Sequence, residues 1–334
     1  MKYLNILRIT VLFLALFWGY AAADNSAAEQ QENNQQLPAE QTTPPADRGD
    51  AQTLPPLPNE LPSIQNNLRD AQDDPEVKFT EDKRLMHPWA DAPAISTEGL
   101  ELPPWFGEKL KFKISWAFIT AGEAELNFDK AIEEDGIKIY QIEALAKSYS
   151  VIDAVFKVRD INKSWISAEG KRSLGYWQSV REGNYKRDEW VRFNYNDNSF
   201  NTYKQDKRGH ITAWDNNFKG TSVFDMLSSL YYVRTLRLPL KTTVFFDIVN
   251  RNRQYPLKVV VLRKETVKVK AGKFNCIVVE PMISGEGIFV SKGKSLKVWL
   301  TDDEYKMPVK MTVDVFIGSV SAELTEYSRR NNKI

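Results

Sequence analysis

From Glu108 to Tyr327 the apolar residues of this 334-residue chain recur at every second position, in short runs broken by turn residues. A period of two sends successive side chains to opposite faces, so each run reads as a half-buried strand. Glu108–Ile119 shows the pattern most clearly. Leu110, Phe112, Ile114, Trp116 and Phe118 fall on one face, and Lys109, Lys111, Lys113 and Ser115 on the other. Thr120-Ala121-Gly122 is expected to turn the chain, with Ala124, Leu126 and Phe128 inward on the return, making a hairpin. Further strands are expected near 137–147, 161–167, 175–182, 186–195, 200–205 and 210–214, and then at 243–249, 257–269, 274–283, 287–290, 296–301, 309–316 and 319–327. Residues 150–158 fit either a short helical turn or a bulge. Strands this dense, with no helix–strand alternation, exclude a parallel α/β fold and predict a mainly β domain over 103–330.

One stretch breaks the period. In Gly220–Leu240, Val223, Phe224, Leu227, Leu230 and Tyr231 recur at helical spacing and form one stripe. Ser222 is the expected N-cap, and Asp225 suits the free amides and positive end of the helix. Arg234 suits the negative end, and Pro239 marks the stop. The expected architecture is a large curved antiparallel sheet, or an incompletely closed β-barrel, wrapped around this one main α-helix.

The chain before the sheet has a different character. Residues 1–23 carry Lys2 and Arg8, an apolar run from Val11 to Tyr20, and Ala21-Ala22-Ala23. That is the anatomy of a secretory signal peptide, and the run is short for a membrane span. A periplasmic protein is expected, with an uncleaved inner-membrane anchor as the alternative. Residues 24–75 hold ten carboxylates against Arg48 and Arg69, with no aromatic residue. Such a segment buries too little apolar surface to offset its ordering entropy, so 24–102 reads as a disordered acidic linker with a transitional end. Phe79, Leu85, Met86 and Trp89 in that end could dock on the folded body. With +1 overall, +2 on 1–23 and −8 on 24–75, the rest carries about +7. A mildly basic body suits contact with anionic headgroups or acidic glycans, and equally an ordinary solvated surface.

The sequence is poor in reactive chemistry. It has no GxSxG elbow, phosphate-cradling glycine loop, HExxH or CxxC motif. His87 and His210 are the only histidines, so no metal site or cofactor is expected. His210 reads as a surface-loop residue beside Gly209. Cys276 lies in the apolar run Phe274–Val279 and reads as a core side chain. Asp302 and Asp303, with Glu304, form the densest carboxylate group, which reads as a charged strand-end turn lacking the spaced ligands of a calcium loop. Lysines spread singly along strands give no basic stripe for nucleic acid. A non-enzymatic protein is expected.

Several blocks in order carry a resemblance. Gly107–Phe112, Ser115-Trp116 and Ile119–Ala124 resemble the opening of a bacterial envelope family without assigned activity, domain of unknown function family 3108. Asp225, Ser229-Leu230-Tyr231, Arg234 and Pro239-Leu240 resemble its central helix. Ala271–Phe274, Val298–Asp303, Pro308-Val309 and Gly318–Val320 resemble its C-terminal blocks. The resemblance implies an exported bacterial protein with no catalytic residues to assign. The expected shape is similar to that of periplasmic lipoprotein and lipid carriers.

Aromatic residues suggest what such a sheet does. Trp116, Trp165, Trp177, Trp190, Trp214 and Trp299 fall on strands or strand ends, where they serve a large core or an open groove. In the groove reading, Trp116, Phe118, Leu126, Phe193, Phe224, Leu227 and Tyr231 line a concave apolar site for a lipid or other apolar ligand. The alternative is an envelope interaction or scaffold module whose exposed aromatics hold a glycan or a partner protein. Contact with a membrane surface is compatible with either.

Overall fold

The structure is a computed structural model that describes Trp89 and residues 92–330 apart from 169–170, 284–294 and 315–317. The signal segment 1–23, the acidic residues 24–75, His87 and the strand expected at 287–290 lie outside the described residues. Fourteen strands form one antiparallel sheet. They are β1 (Glu108–Trp116), β2 (Ile119–Glu134), β3 (Ile137–Ser148), β4 (Arg159–Ser167), β5 (Ser173–Glu182), β6 (Tyr185–Asn194), β7 (Ser199–Asp206), β8 (Ile211–Asn217), β9 (Thr243–Asn250), β10 (Arg253–Val269), β11 (Gly272–Ile283), β12 (Leu296–Thr301), β13 (Pro308–Asp314) and β14 (Ser319–Ser328). A four-residue helix α1 (Ser150–Asp153) follows β3, and α2 (Met226–Thr235) separates β8 from β9. The undecided segment 150–158 therefore holds a short helix.

The spatial order is β8-β7-β6-β5-β4-β3-β2-β1-β14-β13-β12-β11-β10-β9. The chain enters mid-sheet at β1, meanders to the β8 edge, crosses through α2 to the β9 edge, and meanders back to pair β14 with β1. Because every pairing is antiparallel, the C-terminal ends of β1, β3, β5, β7, β9, β11 and β13 all lie at one end, the upper end. Helix α2 leaves and rejoins the sheet at the lower end.

The edges approach but do not pair. Val223 and Phe224 run beside β9, where the Phe224 amide donates to Asp247 O and its carbonyl accepts from the Val249 amide. Val223 O also accepts from the Ser173 amide of β5. Higher up, Thr202 Oγ1 on β7 donates to Arg251 O, and the Arg251 amide donates to the Tyr176 hydroxyl of β5. The β9 side thus abuts the inner face of β5 and β7 instead of the β8 edge, and the barrel stays open.

This seam moves the start of the helix. Residues 223–224 are committed to extended pairing, so the N-cap is Asp225 and not Ser222. Asp225 Oδ1 accepts from the amides of Leu227 and Ser228 at 2.9 and 3.0 Å. Its Oδ2 accepts from Ser164 on β4, Ser173 on β5 and Ser228, at 2.6, 2.7 and 2.7 Å. One carboxylate therefore caps the helix and ties it to two strands. At the other end Arg234 does more than face the helix dipole. Buried within the fold, it grips Glu108 of β1 in a bidentate pair at 2.7 and 2.8 Å and donates through Nε to Tyr305 O.

The first hairpin differs from the sequence reading. Trp116 pairs with Ile119, so Ala117 and Phe118 make the turn and residues 120–122 lie in β2. Ala117 takes the positive φ (50°) that such tight turns demand, without the Gly or Asn that would announce it. Gly122 answers a different need: a Cβ there would sit 2.3 Å from the Lys147 carbonyl oxygen on β3.

Part of the segment expected as linker is fixed to the sheet. Trp89 is buried against Trp165, with its Nε1 donating to Glu134, and the Ile95 amide donates to Ala131 O.

Removing one member of a buried ion pair leaves the other charged and desolvated. Arg234→Met is therefore expected to lower stability by about 3 kcal/mol in urea unfolding, and pairing it with Glu108→Gln to restore part of that loss. Losses that simply add would show that the two residues do not act as a pair.

Candidate ligand cleft

Helix α2 presents two apolar stripes. The first faces β1–β3, where Tyr231 lies 5.2 Å from Phe128 and 6.0 Å from Trp105, ring to ring. Phe106 and Tyr140 complete that cluster. Leu126 is buried with them, so the space expected as a groove is filled core. Trp116 is half-buried at its upper margin.

The other expected lining residues scatter. Phe224 stacks on Tyr232 at 4.2 Å and meets Phe246 edge-on, closing the β9 seam. Phe193 belongs to a separate cluster with Phe200, Phe218, Val223 and Val249. Phe118 is a correction: it occupies the β1–β2 turn, is 93% exposed and lines nothing. Alternation gave it an inward place, and a turn that begins three residues earlier than expected removed it.

The open space lies along the second stripe. Met226, Leu227, Leu230 and Val233 face Leu257 and Val259 of β10, Val279 and Pro281 of β11, Leu296 and Val298 of β12, and Met311 of β13, across a cleft of about 70 Å³. Leu227 is the one residue common to this cleft and the expected lining. The only polar side chain on it, Ser229, is satisfied by donating to Met226 O at 2.7 Å. Leu257, Pro281 and Leu296 sit near the upper ends of their strands, so the cleft runs from the helix toward that end. Met226, Leu230 and Val233 stand at i, i+4 and i+7, a helical signal present in the sequence. The facing strand residues carry no comparable mark.

The upper part of the opposite wall, above the Phe193 cluster, is polar. Asp160 and Asn162 of β4, Gln178 and Glu182 of β5, and Arg187 and Glu189 of β6 are all buried. Arg187 donates to Gln178 and lies 3.8 Å from Glu189, which accepts from Tyr176 at 2.8 Å. Asp160 accepts from the Arg181 amide, yet its Oδ2 and Glu182 Oε2 have no hydrogen-bond partner. Burial pushes both carboxyls well above their ordinary range, against the pull of Arg187, and Asp160 raises Glu182 further.

The remaining singled-out residues are structural. Asp303 Oδ1 accepts from Thr301 Oγ1 and from the amides of Tyr305 and Lys306, holding the β12–β13 turn, while Asp302 pairs with Lys264 at 2.7 Å. Cys276 is buried, and burial with nearby Glu265 pushes its thiol up to about 12, far from a reactive thiolate. His210 is exposed in the β7–β8 turn.

Residues 111–325 match the model of a family described as a protein of unknown function (DUF3108). No protein with a curated description matches the chain. Among solved structures, a β-barrel-like protein of another domain of unknown function, DUF1849, from Brucella abortus is similar at 11% identity and a TM-score of 0.45, covering 69% of this chain and all (100%) of that one. A candidate exported protein with a YmcC-like fold from Bacteroides fragilis is similar at 11% identity and a TM-score of 0.31, covering 68% and 98%. A candidate lipoprotein from Parabacteroides distasonis gives 11% identity and 0.31 over 68% and 97%.

Carboxyls raised in the folded state favour folding while protonated and lose that advantage as pH climbs from the unfolded values. Stability is therefore expected to fall from roughly pH 4 through neutrality on their account. Glu182→Gln should be more stable than the parent at pH 8 by on the order of 2 kcal/mol, with the difference gone near pH 4, in urea midpoints at both values. A pH-independent difference would show that folding does not raise the Glu182 carboxyl, and a variant less stable than the parent at pH 8 would place Glu182 in an ion pair instead.

Proposed function

Since the chain belongs to the DUF3108 family of proteins of unknown function, matched over residues 111–325, we propose that it is a non-enzymatic exported envelope protein that carries an apolar ligand, an acyl chain above all, in the cleft beside α2. The observation that carries the reading is the cleft itself. Its lining is aliphatic on both walls, its one hydroxyl is internally satisfied, and buried polar anchors at Asp225 and Arg234 hold the helix across the sheet. A concave apolar site on a rigid frame is the usual form of a small-ligand pocket. At about 70 Å³ it accepts the end of a chain, and a longer ligand displaces Met226 and Leu230, both half-exposed and unbranched at Cβ. Export follows from the expected signal segment, and the periplasm is the compartment this reading assigns.

The scaffold reading asks for aromatics turned to solvent. Trp165, Trp190 and Trp299 are buried, and Trp116, Trp177 and Trp214 half-buried. That favours the carrier.

Leu230→Trp adds bulk at the cleft wall without touching either anchor. The parent protein is expected to take up a fluorescent fatty acid and to release lipid on extraction from its native host, and Leu230→Trp to reduce uptake about tenfold or more with little change in stability. An empty parent protein, or equal uptake by the variant, would rule out this cleft as the site.

A further inference from the structure

The exposed apolar side chains are distributed unevenly. Of the eleven large hydrophobic residues exposed among the described residues, seven lie at the upper end. Phe118 is 93% exposed at the β1–β2 turn, with Ile119 next to it, and Val151 and Val155 are 81% and 70% exposed in the β3–β4 connection. The Tyr149 amide donates to Ala121 O at 3.0 Å, which holds that connection beside the first hairpin. None of these residues fills the core or lines the cleft.

The same end is basic. Lys157, Lys186, Lys207, Arg208 and Arg253 are exposed in or beside the upper turns, and none has an ion-pair partner among the described residues. Several of the carboxylates there are already engaged. Glu123 pairs with Lys147 and Asp153 with Arg159, both at 2.6 Å, Asp188 pairs with Arg181, and Asp206 accepts from the amides of Arg208 and His210.

We propose that the upper end is a membrane-docking rim: Phe118, Ile119, Val151 and Val155 insert at the interface of an anionic bilayer while the unpaired cations meet its headgroups. Apolar side chains beside uncompensated Lys and Arg are what an interfacial anchor requires. A bilayer accepts protruding side chains one by one, whereas a protein partner needs a matched pocket for each. Charge complementarity selects an anionic surface over a neutral one. The last residues of the apolar cleft, Leu257, Pro281 and Leu296, lie toward this end as well, so the rim would present the cleft to the bilayer. Docking goes beyond the carrier reading and does not depend on which ligand the cleft takes.

The test uses the full chain with Phe118→Cys carrying a solvatochromic dye, and Ile137→Cys, exposed at the start of β3 at the lower end, as the control. Cys276 is buried and does not compete for the label. With phosphatidylglycerol–phosphatidylethanolamine vesicles, the dye at 118 is expected to shift blue and brighten at least about twofold, and the dye at 137 to stay as in water. High salt or pure phosphatidylcholine should abolish the response, and Lys157→Glu with Lys186→Glu should weaken vesicle binding on the order of tenfold. A silent label at 118 on bound protein would overturn the proposal, since it would mean attachment through the N-terminal apolar segment alone. So would equal responses at both positions, or insertion indifferent to anionic lipid.

Discussion

Everything in this fold is arranged around a short helix held by charges at both ends. A ten-residue helix is marginal alone in water and owes its place to tertiary contacts. Here the contacts are polar as well as apolar. Asp225 collects five hydrogen bonds, three of them from serine hydroxyls on α2, β4 and β5. Arg234 spends its guanidinium on Glu108 and the Tyr305 carbonyl, between the rings of Trp105 and Tyr231 at 5.1 and 4.8 Å. Buried groups of this kind tolerate little displacement, because a lost partner leaves a desolvated charge. They therefore fix not only that the helix lies on the sheet but which face looks where.

That orientation decides the division of the interior. With Tyr231 turned into the aromatic cluster of Trp105, Phe106, Phe128 and Tyr140, the wall toward β1–β3 is solid. The stripe of Met226, Leu230 and Val233 is left facing β10–β13, where β-branched and aliphatic residues give a smooth apolar wall without rings to fill the gap. The far wall, β4–β6, carries carboxylates, amides and an arginine. A concavity with one greasy side and one polar side is suited to an amphiphile, and the rim of exposed apolar and basic residues is suited to the surface where amphiphiles reside.

Much of the fold was legible in the sequence, because strand period and turn residues are local signals. Strands β1–β14 follow the alternating runs, and the main helix, α2, follows its own period. What escaped was set by distant partners. The helix begins at Asp225 and not Ser222 because β9, more than 20 residues downstream, draws residues 223–224 into an extended seam. Phe118 escaped because Ala117 adopts a left-handed turn that nothing in its side chain advertises. The apolar wall of the cleft was invisible for a similar reason: Val259, Leu296 and Val298 look like any strand core until the sheet curls them opposite α2. The anchors were half legible. Asp225 and Arg234 stood out, but only the tertiary structure pairs Arg234 with Glu108, 126 residues away.

The central claim is that the buried anchors turn Leu230 and Met226 toward an open apolar space that a chain can occupy. A crystal structure of the protein grown with palmitic acid addresses it directly. The account predicts electron density for methylenes between α2 and β10–β13, in contact with Leu230, Val259 and Val298, with the Arg234–Glu108 pair unchanged. Density for the fatty acid elsewhere, or a cleft closed by the helix packing flush on β12, would contradict it.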